Sequence, residues 1–280
     1  MEQNLVRRER CAQEVVSAQG VPAPRVLVCE DAAGVLDWPF MVMERLRGQI
    51  QLGAEFPRVV IEVPRLFTLS KRHAPALAMV HALDAQPLLD CFAQAGITER
   101  ESGPGYWLDL SERFIDEWSL DGLRAGLAWL RANAPLPPAR ASICHGDLFG
   151  GNILEEDGRI TGILDWNLAT VASPEFDVGG QIAVAEMSPV PAPPPIPWIA
   201  LAVGRGLARG LRRHYPRFES LSPVWLTYYA AMRAFTELTF KLRTRARIRA
   251  TGVPERMPTW KPAQCARYFR RRTGVRVDIR

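Results

Sequence analysis

The chain has 280 residues, 48% of them hydrophobic and 23% charged, with a formal net charge of +5 and a pI near 9.2. These proportions exclude a fibrous or disordered polymer and leave room for one large domain or two lobes sharing a cleft. No apolar run reaches the length of a membrane span, and the charged start MEQNLVRRERC lacks the apolar core of a signal peptide. The expectation is a cytoplasmic protein without a membrane partner.

Cys11, Cys29, Cys91, Cys144 and Cys265 are scattered, odd in number and contain no CxxC pair, so all five are expected to be buried, reduced thiols. Arginine dominates the basic residues, with lysine only at Lys71, Lys241 and Lys261. The densest basic stretch, Lys241 to Arg249, alternates charge with small residues and has no interleaved aromatic ring. It is expected to be a solvated helix face, with no nucleic-acid partner.

Along the chain, residues 2–19 carry helical spacing and end at Gly20, Pro22 and Pro24. Arg25–Cys29 and Pro39–Glu44 have the apolar, β-branched character of short strands joined by a hairpin connection. From about Leu66 the period becomes helical. Leu77, Val80 and His81 share one side of a helix ending before Pro87, and His81 is expected simply to pack there. Trp107, Leu110, Phe114 and Trp118 form an apolar stripe, and Leu123, Leu127 and Leu130 form another. Ser188 to Pro197 is proline-rich and expected to be a loop, followed by helices at 198–214, 223–250 and 260–272.

One segment breaks this regularity: SICHGDLFGGNILEEDGRITGILDWNLATVASPEFD, residues 142–177. Two apolar runs, 152–154 and 160–164, flank Asp157-Gly158, a strong hairpin signal. Antiparallel pairing then brings Asn152, at the start of the first strand, next to Asp165, at the end of the second. A carboxylate and an amide at adjacent strand ends are hard oxygen donors of the kind that hold a divalent cation against a triphosphate. Asp147, a few residues away in the loop, is placed to orient an acceptor hydroxyl and take its proton.

H-G-D-L-F-G-G-N, from His145 to Asn152, resembles the catalytic loop of the aminoglycoside phosphotransferase and choline kinase family, the small-molecule counterpart of the protein-kinase H-R-D-x-x-x-x-N loop. L-D-W at 164–166 is similar to that family's replacement for D-F-G, and S-P-E-F-D, ending at Asp177, to its next element. The resemblance implies Asp147 as catalytic base, Asn152 and Asp165 as Mg2+ ligands, and Asp177 as a brace for the loop. His145 is expected to fix the loop by hydrogen bonding rather than to bind metal. Upstream, Arg8-Glu9, G-V-P-A-P at 20–24 and P-F-M-V-M-E-R at 39–45 are similar to the second half of the family's nucleotide-binding lobe. That likeness implies Met43, Glu44 and Leu46 in a hinge facing adenine, and Glu9 as the helix glutamate that pairs with the nucleotide-binding lysine.

The family opens with a glycine-bearing hairpin and a strand carrying lysine or arginine. Here no glycine precedes Gly20 and no lysine precedes Lys71. The expected fold is therefore α/β (α+β), two-lobed and protein-kinase-like, with a truncated N-lobe over 1–48 and a mostly helical C-lobe over 49–280. Within the C-lobe, 142–180 is the catalytic region and 181–280 the acceptor-binding region. The expected function is ATP- or GTP-dependent transfer of the γ-phosphoryl group to a hydroxyl of a small molecule, with Mg2+. The alternative is a pseudokinase or fragment that binds nucleotide or scaffolds a partner. Acidic residues are few after Glu175 and arginines greatly outnumber them, which disfavours a polycationic acceptor. The oligomeric state has no signal in the sequence.

Overall fold

The computed structural model describes residues 2–31, 34, 36–50, 63–137, 141–187, 196–253 and 261–279. Contacts divide the chain into two units. The first comprises Met1–Pro104, Pro137–Asp177 and Gly210–Phe218, and the second Gly105–Leu136, Val178–Arg209 and Glu219–Arg280. Gly48 lies inside the first unit.

In the first unit, α1 (Glu2–Ala18) turns Cys11, Ala12 and Val16 inward, all fully buried. Arg8 is inward too, which no hydropathy pattern would suggest. Its guanidinium donates to the carbonyls of Ala169 and Glu101, both at 2.7 Å, and lies over the Phe92 ring. Two such acceptors for the terminal nitrogens of a buried charge offset part of its desolvation and tie α1 to these two carbonyls.

After Pro24, β1 (Val26–Glu30) pairs antiparallel with β2 (Phe40–Met43). Leu27, Val28 and Val42 on this ribbon are about half exposed. β3 (Gln49–Ile50), too short to leave a pattern in the sequence, pairs with β5 (Ile153–Glu156), which pairs with β6 (Arg159–Ile163). Asp157 and Gly158 both have positive φ, 50° and 74°, as the tight hairpin requires. β4 (Ser142–Cys144) pairs with β7 (Thr170–Ala172), so the segment between them closes as a loop on a two-stranded base.

The described residues of the first unit also form α2 (Val63–His81), α3 (Gln86–Gln94) and the single turn α4 (Glu99–Ser102), which starts at a Thr98–Glu101 capping box. Here the cysteine expectation is corrected. Cys11 of α1 and Cys91 of α3 are joined in a disulfide, with Cα atoms 5.7 Å apart and a sequence separation of 80. A pairing that depends on two helices docking leaves no local spacing to read. Cys144 and Cys265 are free and buried, while Cys29 is free but half-buried.

The second unit is helical. It contains α5 (Gly105–Glu117), α6 (Arg124–Ala132), α9 (Pro223–Thr251) and α10 (Pro262–Thr273). Phe235 lies against Phe269 at 5.4 Å between centroids, Trp129 meets Phe269 edge-on, and Phe114 meets Phe240 edge-on. Gly126 fits because any side chain there would strike the Phe235 ring. Two further helices, α7 (Glu175–Met187) and α8 (Ile196–His214), have residues in both units. The expected proline-rich loop is corrected at its end: Ile196 and Pro197 open α8, where a proline without an N–H is tolerated in the first turn. The rest of that segment, Ser188–Pro195, lies outside the described residues. The expected solvated face at 241–249 is also corrected, because Lys241 and Thr244 are buried and Lys241 reaches Glu237 at 3.4 Å. Among the described residues no helix is long and apolar enough to cross a membrane.

Candidate active site

The loop between β4 and β5 is fixed from below by one carboxylate. Asp177, fully buried in the first turn of α7, accepts the His145 amide on Oδ2 and the Gly146 amide on Oδ1, both at 2.8 Å. Gly146 has φ +84°, and an added Cβ would fall 2.5 Å from the Leu168 carbonyl. The turn is therefore restricted to glycine on two counts.

His145 carries the next set of bonds. Its Nε2 lies 2.9 Å from the Leu164 carbonyl, and its Nδ1 accepts the Asp147 amide at 3.3 Å. Both contacts are met by the neutral Nε2–H tautomer. Burial pushes the imidazole pKa below its usual value despite nearby Asp177, Asp147 and Asp165. The structure thus places His145 with both ring nitrogens in hydrogen bonds, one to its own loop and one to the L-D-W segment. The ring also packs on Trp166, 4.6 Å between centroids.

At the far end of the loop, Asn152 Nδ2 donates to the Asp147 carbonyl at 2.9 Å, and the Leu164 amide donates to the Asn152 carbonyl at 2.9 Å. The hairpin therefore sets Asn152 beside the start of L-D-W, and the side-chain amide ties it to the loop. Asp165 follows Leu164 with φ 64° and ψ 64°, a left-handed conformation uncommon for a residue other than glycine. Trp166 next to it is fully buried, its indole donating to the Ile163 carbonyl at 2.9 Å.

Glu9 of α1 joins this group. Its pKa is raised to about 7, chiefly by burial and then by the Asp165 charge, against hydrogen bonds from Gln13 and the Trp166 backbone. The Asp165 carboxyl is raised as well, chiefly by burial, with Asp147 adding to it and His145 opposing. Glu9, Asp165 and Asp147 thus supply hard oxygens in one region, with the Asp165 charge raising the proton affinity of Glu9 and the Asp147 charge raising that of Asp165. A Mg2+ ion fits such a donor set: the carboxylate of Asp165 is available, and the Asn152 amide, bonded through its nitrogen to the loop, keeps its oxygen as a further donor.

Of the residues expected to form a hinge, Met43 ends β2 opposite Val26, and the Glu44 amide donates to the Arg25 carbonyl at 2.8 Å. Gln13 links this segment to Glu9, with its Nε2 3.1 Å from the Glu9 carboxylate and 3.9 Å from Met43 Sδ. Leu46 packs where a side chain at Gly162 would clash, beside β6. Three contributors escaped the sequence reading. His73 of α2 is buried beneath the loop and bonds the Leu148 backbone, and burial lowers its pKa to about 4. His81 meets Asp177 from behind, and Tyr215 in turn meets His81. Their sequence separation of 134 leaves no spacing that would have pointed to them.

The profile of the phosphotransferase enzyme family (APH) matches residues 2–217. The chain belongs to that family. Its fold is kinase-like. An apo structure of a thermostable aminoglycoside phosphotransferase APH(4)-Ia superposes with a TM-score of 0.62 at 18% identity, covering 97% of this chain and 85% of that one. Macrolide 2'-phosphotransferase type I superposes at 0.53 and 16% identity, covering 97% and 78%. Another APH(4)-Ia structure is a ternary complex with AMP-PNP and hygromycin B. Among curated proteins, acyl-CoA dehydrogenase family member 11 of Gallus gallus is 27% identical over 187 residues, covering 62% of this chain and 22% of the relative. Family member 10 of Mus musculus is 26% identical over 189 residues, covering 62% and 16%. The chain thus spans about a fifth of the length of these relatives.

Proposed function

We propose that the chain is a small-molecule kinase, transferring the γ-phosphoryl group of ATP or GTP to a hydroxyl. The observation that carries this reading is the loop from His145 to Asn152, pinned at one end by Asp177 and at the other by the Asn152–Asp147 bond. In this reading residues 1–48 belong to the nucleotide lobe, where backbone groups of Met43, Glu44 and Leu46 meet the base. Residues 49–280 form the other lobe, with the acceptor bound by 181–280. Asp147 accepts the acceptor's proton as its oxygen attacks the γ-phosphorus, and the bond to the bridging oxygen breaks to release the nucleoside diphosphate. Asp165 and Asn152 hold Mg2+, which when bound neutralises charge on the phosphates. His145 and Asp177 keep the loop in place without touching substrate.

The excess of arginine over acidic residues after Glu175 suits a neutral or anionic acceptor. The relatives are named for acyl-CoA, a polyanion, so hydroxyl-bearing acyl thioesters belong in an acceptor screen beside sugars and macrolides.

A second reading, a non-catalytic nucleotide-binding or scaffold module, is favoured by Glu9. Its partners are Gln13 and the Trp166 backbone, where the family resemblance implies a lysine. A magnesium-dependent thermal-shift titration with ATP, run beside Asp165→Asn, tests both. Stabilisation lost in the variant, together with phosphorylation of a screened acceptor, supports the kinase. Stabilisation without turnover on any acceptor supports the nucleotide-binding module, and no stabilisation removes both the kinase and that module, leaving the scaffold.

A further inference from the structure

The disulfide between α1 and α3 ends on the helix that carries Glu9, and Gln13 of the same helix links Glu9 to Met43. Cys11 follows Glu9 by two positions, which on a helix of 3.6 residues per turn is about 200° around the axis. The two side chains therefore leave α1 on nearly opposite sides. On one side Cys11 is bonded to Cys91, with Cα atoms 5.7 Å apart. On the other, Glu9 lies close enough to Asp165 and the Trp166 backbone for both to act on its carboxyl. A covalent link that short fixes how far α1 is rolled about its own axis. The other ties are more yielding. Arg8 reaches the Ala169 and Glu101 carbonyls through a long side chain, and Arg7 meets the Ala95 carbonyl, at the end of α3, at 3.5 Å.

Glu9 is also the residue with a reason to move. Burial and then the Asp165 charge penalise its ionised form, against the hydrogen bonds from Gln13 and the Trp166 backbone. A helix released to roll turns that carboxyl toward water and away from Asp165, and the oxygens beside the cation position disperse. The bond can be opened from outside, because Cys91 is half-buried whereas Cys11 is fully buried. A thiolate of a dithiol attacks Sγ of Cys91, the bond between the two protein sulfurs breaks, and Cys11 leaves as a thiolate and takes a proton. The second thiolate of the reagent then displaces Cys91, which is protonated in turn, and the reagent departs as a cyclic disulfide. Two electrons and two protons have passed from the dithiol to the protein. A structural staple is the competing account. It explains a loss of stability on reduction, but it leaves nucleotide affinity untouched.

We propose that the Cys11–Cys91 disulfide is a redox switch on the nucleotide site: closed, it holds α1 at the roll that sets Glu9 beside Asp165, and opened by a dithiol it lets α1 turn and weakens magnesium–nucleotide binding. This inference rests on the kinase reading, in which Asp165 holds the cation. Linkage demands the converse by the same factor, so that bound nucleotide makes the disulfide harder to reduce.

The test titrates the full chain with ATP and magnesium chloride, oxidised and then reduced by dithiothreitol. Reduction should raise Kd about fivefold or more. Saturating magnesium–ATP should raise, by the same factor, the ratio of reduced to oxidised dithiothreitol that opens half of the bonds. Cys11→Ala/Cys91→Ala should bind like the reduced parent whatever the reagent, and Cys29→Ala, which removes the half-buried free thiol, should keep the parent's response. Amide hydrogen exchange at residues 7–16 should speed about tenfold on reduction, and by more than at 142–144 in β4. Equal Kd in the two redox states, with ATP bound in both, overturns the proposal and leaves the kinase reading standing. A reduction midpoint that nucleotide does not move overturns it too. So does exchange that rises as much at 142–144 as in α1, or a reduced parent that unfolds, since each marks a staple and not a switch. If the double variant does not fold, the two redox states of the parent decide alone. No ATP binding in either state defeats the kinase reading, and exchange at 7–16 then decides whether reduction releases α1.

Discussion

Between Ser142 and Asp177 the chain is held by hydrogen bonds that converge on one buried carboxylate, whereas from Pro223 to Thr273 it is held by rings. In the first region His145, Gly146 and His81 share Asp177, and Asn152 closes the loop on Asp147. In the second, Phe235, Phe269 and Trp129 meet at ordinary aromatic distances, and a side chain of similar size and shape would serve nearly as well. The difference separates geometry from stability. Directional bonds specify where a carboxylate points but are lost whole when one partner goes. Ring packing contributes more free energy and dictates less.

The comparison is sharpened most by substitutions that act on one side of it. Asp147→Asn should lower phosphoryl transfer about a thousandfold while leaving magnesium–nucleotide stabilisation intact, since it removes a base and no packing. Rapid-quench assay of an accepted substrate would measure this, and a loss below tenfold would remove Asp147 as the base. Phe235→Ala should do the opposite. It should cost about 4 kcal/mol of unfolding free energy by urea titration, because it opens a cavity beside Phe269 and Gly126. A cost below about 1 kcal/mol would mean the ring cluster does not carry the second unit. Reducing Cys11–Cys91 should cost about 4 kcal/mol, since the bond closes an 80-residue separation. Unfolding with and without dithiothreitol, with Cys11→Ala/Cys91→Ala as control, would show it.

The smallest expected effect is a pH dependence. Glu9 has a folded pKa of about 7 against a usual 4.5, so the folded state binds its proton more tightly than the unfolded chain. The stability it contributes is complete below about pH 4.5 and is lost as pH rises through 7. Between pH 5 and 8 the parent should therefore lose about 2 kcal/mol more than Glu9→Gln, after allowance for residual solvent screening. Parallel slopes in the two proteins would mean that Glu9 does not share a field with Asp165. His73, whose pKa is lowered by burial, acts in the opposite direction but is common to both proteins and cancels from the difference.

The loop's outline was legible in the sequence because its signals are local. Asp157-Gly158 forced a hairpin, and the apolar runs on either side set Asn152 against Leu164. The helices at 2–18 and 223–251 were legible for the same reason, their periods being written in consecutive residues. What escaped has partners far apart in the chain. Arg8 reads as a solvent-facing charge until α1 meets the Ala169 carbonyl, Cys11 as a free thiol until α3 brings Cys91, and His81 as core until Asp177 and Tyr215 converge on it. β3 and β7, of two and three residues, carry no periodic pattern and exist because β5 and β4 offer them an edge.

Asp165 stands in a left-handed backbone conformation that costs an ordinary residue about 1 kcal/mol and costs glycine almost nothing. It also places a negative charge beside Glu9. Glycine at 165 would relieve both penalties at once, and asparagine most of them. Heat resistance and chemistry therefore pull this position in opposite directions. A library of this chain screened for survival on heating alone should accumulate glycine or asparagine at 165, and the variants that endure best should be those that have given up the carboxylate.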